Sequence, residues 1–113
     1  ESVNKIMLTD QMIGFGKELL VELNKSVRIC KALWLHKSET NEWKLVILTS
    51  SVNDKGLKFV YKKIYTLLKK LDIHLLLTDI MVFGSQDDLL QSLRRLTKED
   101  VYVYGDYCQT REK

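Results

Sequence analysis

Apolar side chains near the start of the chain recur at helical spacing and predict a first helix over residues 9–25. The side chains of this stripe are Met12, Phe15, Leu19, Leu20 and Leu23. Thr9 or Asp10 is expected to cap the helix, because a short side-chain oxygen accepts from the free N–H groups of the first turn. Gly14 and Gly16 weaken those turns by about 1 kcal/mol each relative to alanine, and we expect them to let a neighbouring element approach closely.

Two apolar segments follow and predict an antiparallel hairpin. Residues 27–36 and 43–49 are rich in aliphatic, aromatic and β-branched side chains, a composition typical of strands. The polar sequence KSETNE joins them and predicts a short turn between two neighbouring strands.

The turn decides which side chains share a face of this hairpin. If it is centred on residues 39–40, His36 lies opposite Trp43, and in the same register Trp34 lies opposite Leu45. Alternation then puts these four side chains on one face. The other face carries Leu33, Leu35, Val46 and Leu48. Because both faces are apolar, we expect both to be covered by the protein, or one of them to meet a partner.

Residues 53–83 predict a long helix followed by a third strand. The helix covers about residues 54–71, with Asn53 or Asp54 as its cap. The strand lies within residues 74–83, a largely apolar segment.

The sequence GSQDD ends that strand and begins a further helix. Ser85 and Asp88 have the spacing of a capping box, with Asp in place of the usual Glu. The apolar stripe of this helix is Leu89, Leu90, Leu93 and Leu96. Residues 101–107 alternate in character and predict a final strand near an edge of the sheet.

The resulting order, α-β-β-α-β-α-β, predicts an α+β fold with a mixed sheet of about four strands and helices packed on it. A chain of 113 residues is long enough for one domain with one modest core, so we expect a single domain over residues 1–113. The chain begins with ESVNK and not with methionine. We therefore expect a processed chain or a domain excised from a longer protein.

Charge is unevenly distributed along this chain. The net charge is +3, with 18 basic and 15 acidic residues, yet residues 55–71 alone hold six lysines and no acidic residue. The rest of the chain is therefore acidic on balance, and the asymmetry points to this one helix.

Placed at about 100° per residue, the helix separates into an apolar face and a lysine face. The apolar arc of about 120° is Leu57, Val60, Tyr61, Ile64, Leu67, Leu68 and Leu71. The opposite side carries Lys55, Lys58, Lys62 and Lys69, flanked by Lys63 and Lys70. Phe59 falls between the two lysine groups and is expected to point away from the core.

Three interpretations of the lysine face remain open. It is a solvated surface, an anion-binding face on which lysines neutralise phosphates and Phe59 stacks, or a protein interface anchored by Phe59. Acidic residues of other elements are available to compensate the charge: Glu18, Glu22, Asp87 and Asp88. The candidate ligand-binding residues are Lys58, Phe59, Lys62, Lys63, Lys69, Arg94 and Arg95. The two arginines are also explained as a helix-terminal pair near favourable carbonyl ends.

The hairpin offers a second candidate surface, formed by Trp34, His36 and Trp43. Such a cluster can stack a planar ligand, although it is more often a packed hairpin end.

The sequence carries no catalytic or metal-binding signature, and we expect no cofactor, no metal and no assigned catalytic residue. The residues that could serve a zinc site or a nucleophile are scattered: Cys30, Cys108, His36 and His74. They lack the close spacing of zinc ligands. The acidic residues Asp79, Asp87 and Asp88 are better explained by a strand edge and a helix start.

A resemblance spans roughly residues 32–96. ALWLHKSETNEWKLVI is followed by DKG, a tyrosine-bearing helix and DDLLQSLRRL. This series of an aromatic strand, a polar turn, a Trp-led strand, a KG helix start and a Leu/Arg helix resembles a family of small uncharacterised bacterial proteins with a Trp-bearing β-hairpin. The resemblance implies that hairpin and carries no activity.

Two cysteines in 113 residues are few for a disulfide scaffold, and we expect a cytosolic protein. No apolar stretch approaches the roughly 18 residues that a membrane span needs, so membrane association is expected only through a segment upstream of residue 1.

The function expected first is a non-enzymatic binding or assembly module that self-associates into a homo-oligomer. The alternative is a receptor or sensor for an anionic ligand, meaning a nucleotide, an oligonucleotide or a lipid headgroup, bound by the Lys55–Lys70 helix. A small hydrolase is third.

Overall fold

The computed structural model describes residues 8–37, 40–94 and 101–106. The helices are α1 (Asp10–Leu23), α2 (Ser51–Lys55), α3 (Leu57–Lys70) and α4 (Gln86–Leu93). The strands are β1 (Ile29–Lys37), β2 (Glu42–Thr49), β3 (Ile80–Phe83) and β4 (Val101–Asp106). The predicted α+β class and mixed four-stranded sheet are confirmed.

The strands form one sheet in the order β3-β2-β1-β4. β1 pairs antiparallel with both β2 and β4, and β2 pairs in parallel with β3. In the hairpin His36 lies opposite Trp43 and Trp34 opposite Leu45, so the predicted register is confirmed. β4 lies at an edge of the described sheet, also as predicted.

Both faces of the sheet are buried at β1 and β2, which explains why both faces of the hairpin carry apolar side chains. On one face Trp34, Leu45 and Ile47 form a first core cluster with the buried sides of α1 and α3. On the other face Leu33 and Val46 belong to a second cluster, to which α4 contributes a buried leucine. A strand that is buried on both faces carries apolar side chains on both, so its sequence does not alternate between apolar and polar residues.

α1 begins where the sequence predicts and is held close to the sheet. The hydroxyl of Thr9 accepts a hydrogen bond from the N–H of Met12 at 3.1 Å, which satisfies one of the free donors of the first turn. A Cβ at Gly16 would collide with the hydroxyl of Tyr104, a residue of β4, whereas a Cβ at Gly14 would meet nothing within 4 Å. The predicted close approach therefore occurs at Gly16 alone.

The helix predicted over residues 54–71 is two helices. Gly56 separates α2 from α3 with φ 93° and ψ 153°, a region of backbone space that is essentially restricted to glycine. Asn53 and Asp54 lie inside α2 and do not cap the lysine-bearing helix, and the Asn53 side chain instead donates to the carbonyl of Gly84 at 3.3 Å. The error arose because helical periodicity continues across a one-residue break.

β3 and α4 are shorter than the apolar segments from which they were predicted. Within residues 74–83 only Ile80–Phe83 is strand, preceded by a 3₁₀ turn over Leu77–Asp79. In α4 Leu89 is buried, whereas Leu90 is exposed and does not join the stripe predicted for it. Leu96, and the side chains of Asp88 and Leu93, lie outside what the structure describes.

Candidate functional site

The site begins with the way in which α3 lies on the sheet. Val60, Ile64 and Leu68 are buried in the first core cluster, and their spacing of four residues fixes one side of the helix against the sheet. The other side faces solvent, and it carries the exposed residues Lys58, Lys62, Lys69 and Lys70. The predicted separation into an apolar and a lysine face thus holds for most of the helix.

The positive charge of this surface is not neutralised within the described residues. Among the described residues, ion pairs join Lys25 to Glu22 and Lys44 to Glu42, and Nε2 of His74 lies 3.8 Å from a carboxylate oxygen of Asp72. None of these contacts involves a lysine of α2 or α3. Glu22 was one of the acidic residues available to compensate the lysine charge, but its carboxylate pairs with Lys25. Like charges four residues apart, as at Lys58 and Lys62, repel by roughly 0.2–0.5 kcal/mol.

Phe59 forms the apolar floor of a small concavity on this surface. The concavity has a volume of about 280 Å³ and is lined by Phe59, Lys62, Lys63 and Thr66. The ammonium groups of Lys55 and Lys63 lie 5.5 Å and 5.9 Å from the centre of the Phe59 ring. Cations at this distance are attracted by the ring quadrupole. The Phe59 ring therefore attracts two ammonium groups, that of Lys55 from α2 and that of Lys63 from α3.

Two details of the predicted helix faces are wrong. Phe59 does not point away from the core: it is half-buried and packs at the margin of the first core cluster. Leu57, predicted on the apolar face, is 44% exposed. It is the first residue of α3, directly after Gly56.

Tyr65 forms a second aromatic position beside the lysines. It is 50% exposed, and the ammonium group of Lys69 lies 5.3 Å from the centre of its ring. Sequence reasoning did not select Tyr65, although at about 100° per residue it falls next to Lys58 and Lys69. Lys55 and Thr66 were also not selected, although they lie four residues before and seven residues after Phe59, a spacing that places both beside it on a helix.

The predicted arginines do not extend this surface. Arg94 is exposed and directly follows α4, which packs on the opposite face of the sheet from α3. The sheet therefore separates Arg94 from the lysines. Arg95 lies outside the described residues.

The aromatic cluster of the hairpin lies inside the protein. Trp34 is fully buried, and His36 and Trp43 are 5% and 8% exposed. Nε2 of His36 lies 2.9 Å from the side-chain oxygen of Asn41, and its ring packs against Trp43 with centroids 5.2 Å apart. These rings leave no room for a stacked ligand in this structure, and the arrangement is that of a packed hairpin end.

The residues considered for hydrolysis are dispersed. Cys30 and His36 are six residues apart on β1, a distance of about 20 Å along a strand. His74 is exposed and stacks on Phe15 at 5.8 Å, and a carboxylate oxygen of Asp79 accepts from the N–H of Leu76 at 3.1 Å. Cys108 lies outside the described residues.

Within the described ranges, no group of three or more His, Cys, Asp or Glu side chains is arranged to hold a metal ion. Also within them, no helix combines the length and the apolar character needed to cross a membrane.

Comparison with family models, with curated proteins and with solved structures finds no match to this chain. The resemblance to a bacterial family with a Trp-bearing hairpin stays a prediction.

Proposed function

We propose that this protein is a binding module for a phosphate-bearing anion and that the exposed side of α3 is its receptor surface. The observation that carries the proposal is the concavity at Phe59, where Lys62 and Lys63 form part of the wall and no lysine of α3 has an acidic partner among the described residues. A solvated helix surface ordinarily mixes charges of both signs, since opposite charges one turn apart stabilise the helix. We place the module in the cytosol, because its cysteine content is low.

The charge arrangement gives a physical reason for anion binding. Lysines held on one rigid helix repel one another in the free protein, and an anion placed among them relieves that repulsion. An apolar floor excludes water from one side of the anion, and electrostatic attraction is stronger where water is excluded. Phe59 therefore strengthens the site even if the ligand makes no stacking contact with it.

Thermal unfolding tests the proposal directly. ATP, a linear oligonucleotide and inorganic polyphosphate should each be added at low and high salt to the wild type and to the Lys62→Glu and Phe59→Ala variants. A ligand at one hundred times its Kd stabilises the folded state by about 2.7 kcal/mol, which raises the melting temperature by several degrees. We expect the rise to shrink at high salt and in both variants.

The matched control is Lys17→Glu, which makes the same charge change at an exposed position of α1. It should leave the ligand-induced rise intact. The proposal is abandoned if no phosphate-bearing ligand raises the melting temperature, or if Lys17→Glu reduces the rise as much as Lys62→Glu.

A second candidate function is self-association through β4, and the exposed edge of that strand favours it. Tyr102 and Val103 are 40% and 52% exposed, and in the described sheet no strand lies beyond β4. Both faces of the sheet are covered at β1 and β2, so an assembly would use β4. A second copy fits this edge, because two antiparallel β4 strands are self-complementary about a two-fold axis.

A further inference from the structure

The lysine face of α3 has the form of a row and not of a single pocket. Lys58, Lys62, Tyr65 and Lys69 follow one another at intervals of four, three and four residues, which places them along one line of the helix surface. At a rise of 1.5 Å per residue the row is about 17 Å long. Three lysines spread over this length suit a ligand that carries several phosphates along a chain.

Two aromatic rings accompany this row. Phe59 and Tyr65 are six residues apart, which separates them by about 9 Å along the helix axis and about 120° around it, so the rings flank the lysines of the row from different sides. Each has a lysine ammonium within 6 Å of its ring centre. Aromatic rings alternating with cations are the arrangement by which proteins hold single strands, with bases on the rings and phosphates on the cations. The concavity of about 280 Å³ is below the usual range of about 300–1,000 Å³ for pockets that enclose a whole ligand, so it suits one unit of a longer chain.

The same surface is poorly suited to a duplex or a bilayer. α3 contains no Arg, Asn or Gln, so lysine and threonine are its only side chains of the kinds that read base edges in the major groove. The bases of a duplex are also stacked on each other and leave no face for Tyr65. A helix that lies in a membrane buries its apolar side among the lipids. Here Val60, Ile64 and Leu68 are already buried in the protein core.

We propose that the row formed by Lys58, Lys62, Tyr65 and Lys69, together with the Phe59 concavity, binds single-stranded nucleic acid without sequence preference. This inference rests on the proposed anion-binding function and names its ligand class. The lysines neutralise phosphates, Tyr65 stacks on one base, and the Phe59 concavity receives a neighbouring unit.

Fluorescence anisotropy with labelled oligo-dT and oligo-rU of about 12 nucleotides, a length within the range bound by single-strand-binding domains, tests this inference. If Lys58, Lys62, Lys69 and the Lys63 of the concavity neutralise phosphates, the slope of log K against log salt should be about −3. Lys62→Glu should make that slope shallower by at least about 0.7. Tyr65→Ala should weaken binding at least about fivefold without changing the slope, because a stacked ring releases no counterion.

Two control variants test whether the loss of binding is specific to the side chains of α3. Tyr102→Ala removes an exposed tyrosine from β4, a strand at the opposite edge of the sheet from β3, and Lys17→Glu reverses an exposed charge on α1. Neither should change the affinity or the slope. Tyr65 is half exposed, so its truncation is expected to leave the fold intact, which an unchanged melting temperature would verify.

Competitors then separate the ligand classes. Unlabelled single strands should displace the probe, whereas a duplex of equal length, inorganic polyphosphate at equal phosphate concentration and phosphatidylserine vesicles should displace it less. The inference is overturned if polyphosphate or vesicles compete equally well, or if Tyr65→Ala binds like Tyr102→Ala. In that event salt-sensitive binding that is lost in Lys62→Glu would still support the proposed anion-binding function, whereas no binding by any probe would overturn both.

Discussion

At the scale of single residues, a tyrosine hydroxyl links three elements of the fold. The hydroxyl of Tyr104 accepts from the indole N–H of Trp34 at 2.7 Å and donates to the carbonyl of Ile13 at 2.6 Å. The carbonyl of Ile13 belongs to α1, the indole to β1 and the tyrosine to β4. A buried indole N–H without an acceptor is costly, so Tyr104 makes the buried position of Trp34 tolerable.

Gly16 provides the space for that hydroxyl, and its substitution should be destabilising. A Cβ at this position would overlap the hydroxyl of Tyr104 and lie 3.2 Å from Nε1 of Trp34. We expect Gly16→Ala to lower the free energy of unfolding by about 1–3 kcal/mol, the usual range for overpacking. Urea unfolding monitored by tryptophan fluorescence measures it.

Gly14→Ala is the matched control, two residues away in the same helix. An added methyl group there meets nothing within 4 Å, and alanine is the better helix former, so stability should rise by about 0.4–1 kcal/mol. Equal effects of the two substitutions would show that helix propensity, and not contact with Tyr104, decides the outcome at Gly16.

At the scale of elements, α3 has a structural role besides its lysine face. The hydroxyl of Tyr61 accepts from the N–H of Val82 at 3.1 Å and lies 3.4 Å from the carbonyl oxygen of Ile80. Both backbone groups belong to β3, the edge strand of the described sheet beside β2. Edge strands expose unpaired backbone groups that invite association, and Tyr61 engages two of them.

Tyr61→Phe should therefore destabilise the protein while keeping the aromatic ring. The substitution leaves the N–H of Val82 without this partner, and we expect a loss of about 0.5–1.5 kcal/mol of unfolding free energy. Hydrogen exchange of the Val82 amide should also become faster. Tyr65→Phe, on the exposed side of the same helix, removes a hydroxyl that has no partner among the described residues and should change stability by less than about 0.5 kcal/mol.

At the scale of the whole molecule, the two edges of the sheet differ. Tyr61 engages the backbone at the β3 edge, whereas β4 presents Tyr102 and Val103 to solvent. Residues 101–104, VYVY, contain no lysine or proline of the kind that commonly protects an edge strand. This asymmetry predicts that copies of the protein associate through β4 and not through β3.

Light scattering after size exclusion tests that association. We expect a mass of about twice 13.2 kDa, independent of salt, because pairing by backbone hydrogen bonds and apolar contacts is weakly screened. Val103→Lys should restore the monomer by placing charge on the edge. Val21→Lys makes the same change at an exposed position of α1 and should remain dimeric. A monomeric wild type, or a dimer that survives Val103→Lys, would contradict edge pairing.

Several features of this protein follow from local pattern alone. A short polar turn centred on residues 39–40 is enough to pair His36 with Trp43, because the length of the turn fixes the register of a hairpin. Helical spacing likewise places most of the lysines of α3 opposite Val60, Ile64 and Leu68, whatever the helix packs against.

Other features depend on contacts between residues far apart in the sequence. Gly56 breaks the helix without interrupting its apolar period, so the pattern could not reveal that Lys55 belongs to a separate helix. Arg94 was expected to extend the lysine face, yet the sheet lies between it and α3. The sequence by itself therefore determined the presence of the four strands, the register of the hairpin and the existence of a lysine face. The tertiary structure decided which side chains meet on that face, because periodicity records which side of an element is apolar and not which element covers it.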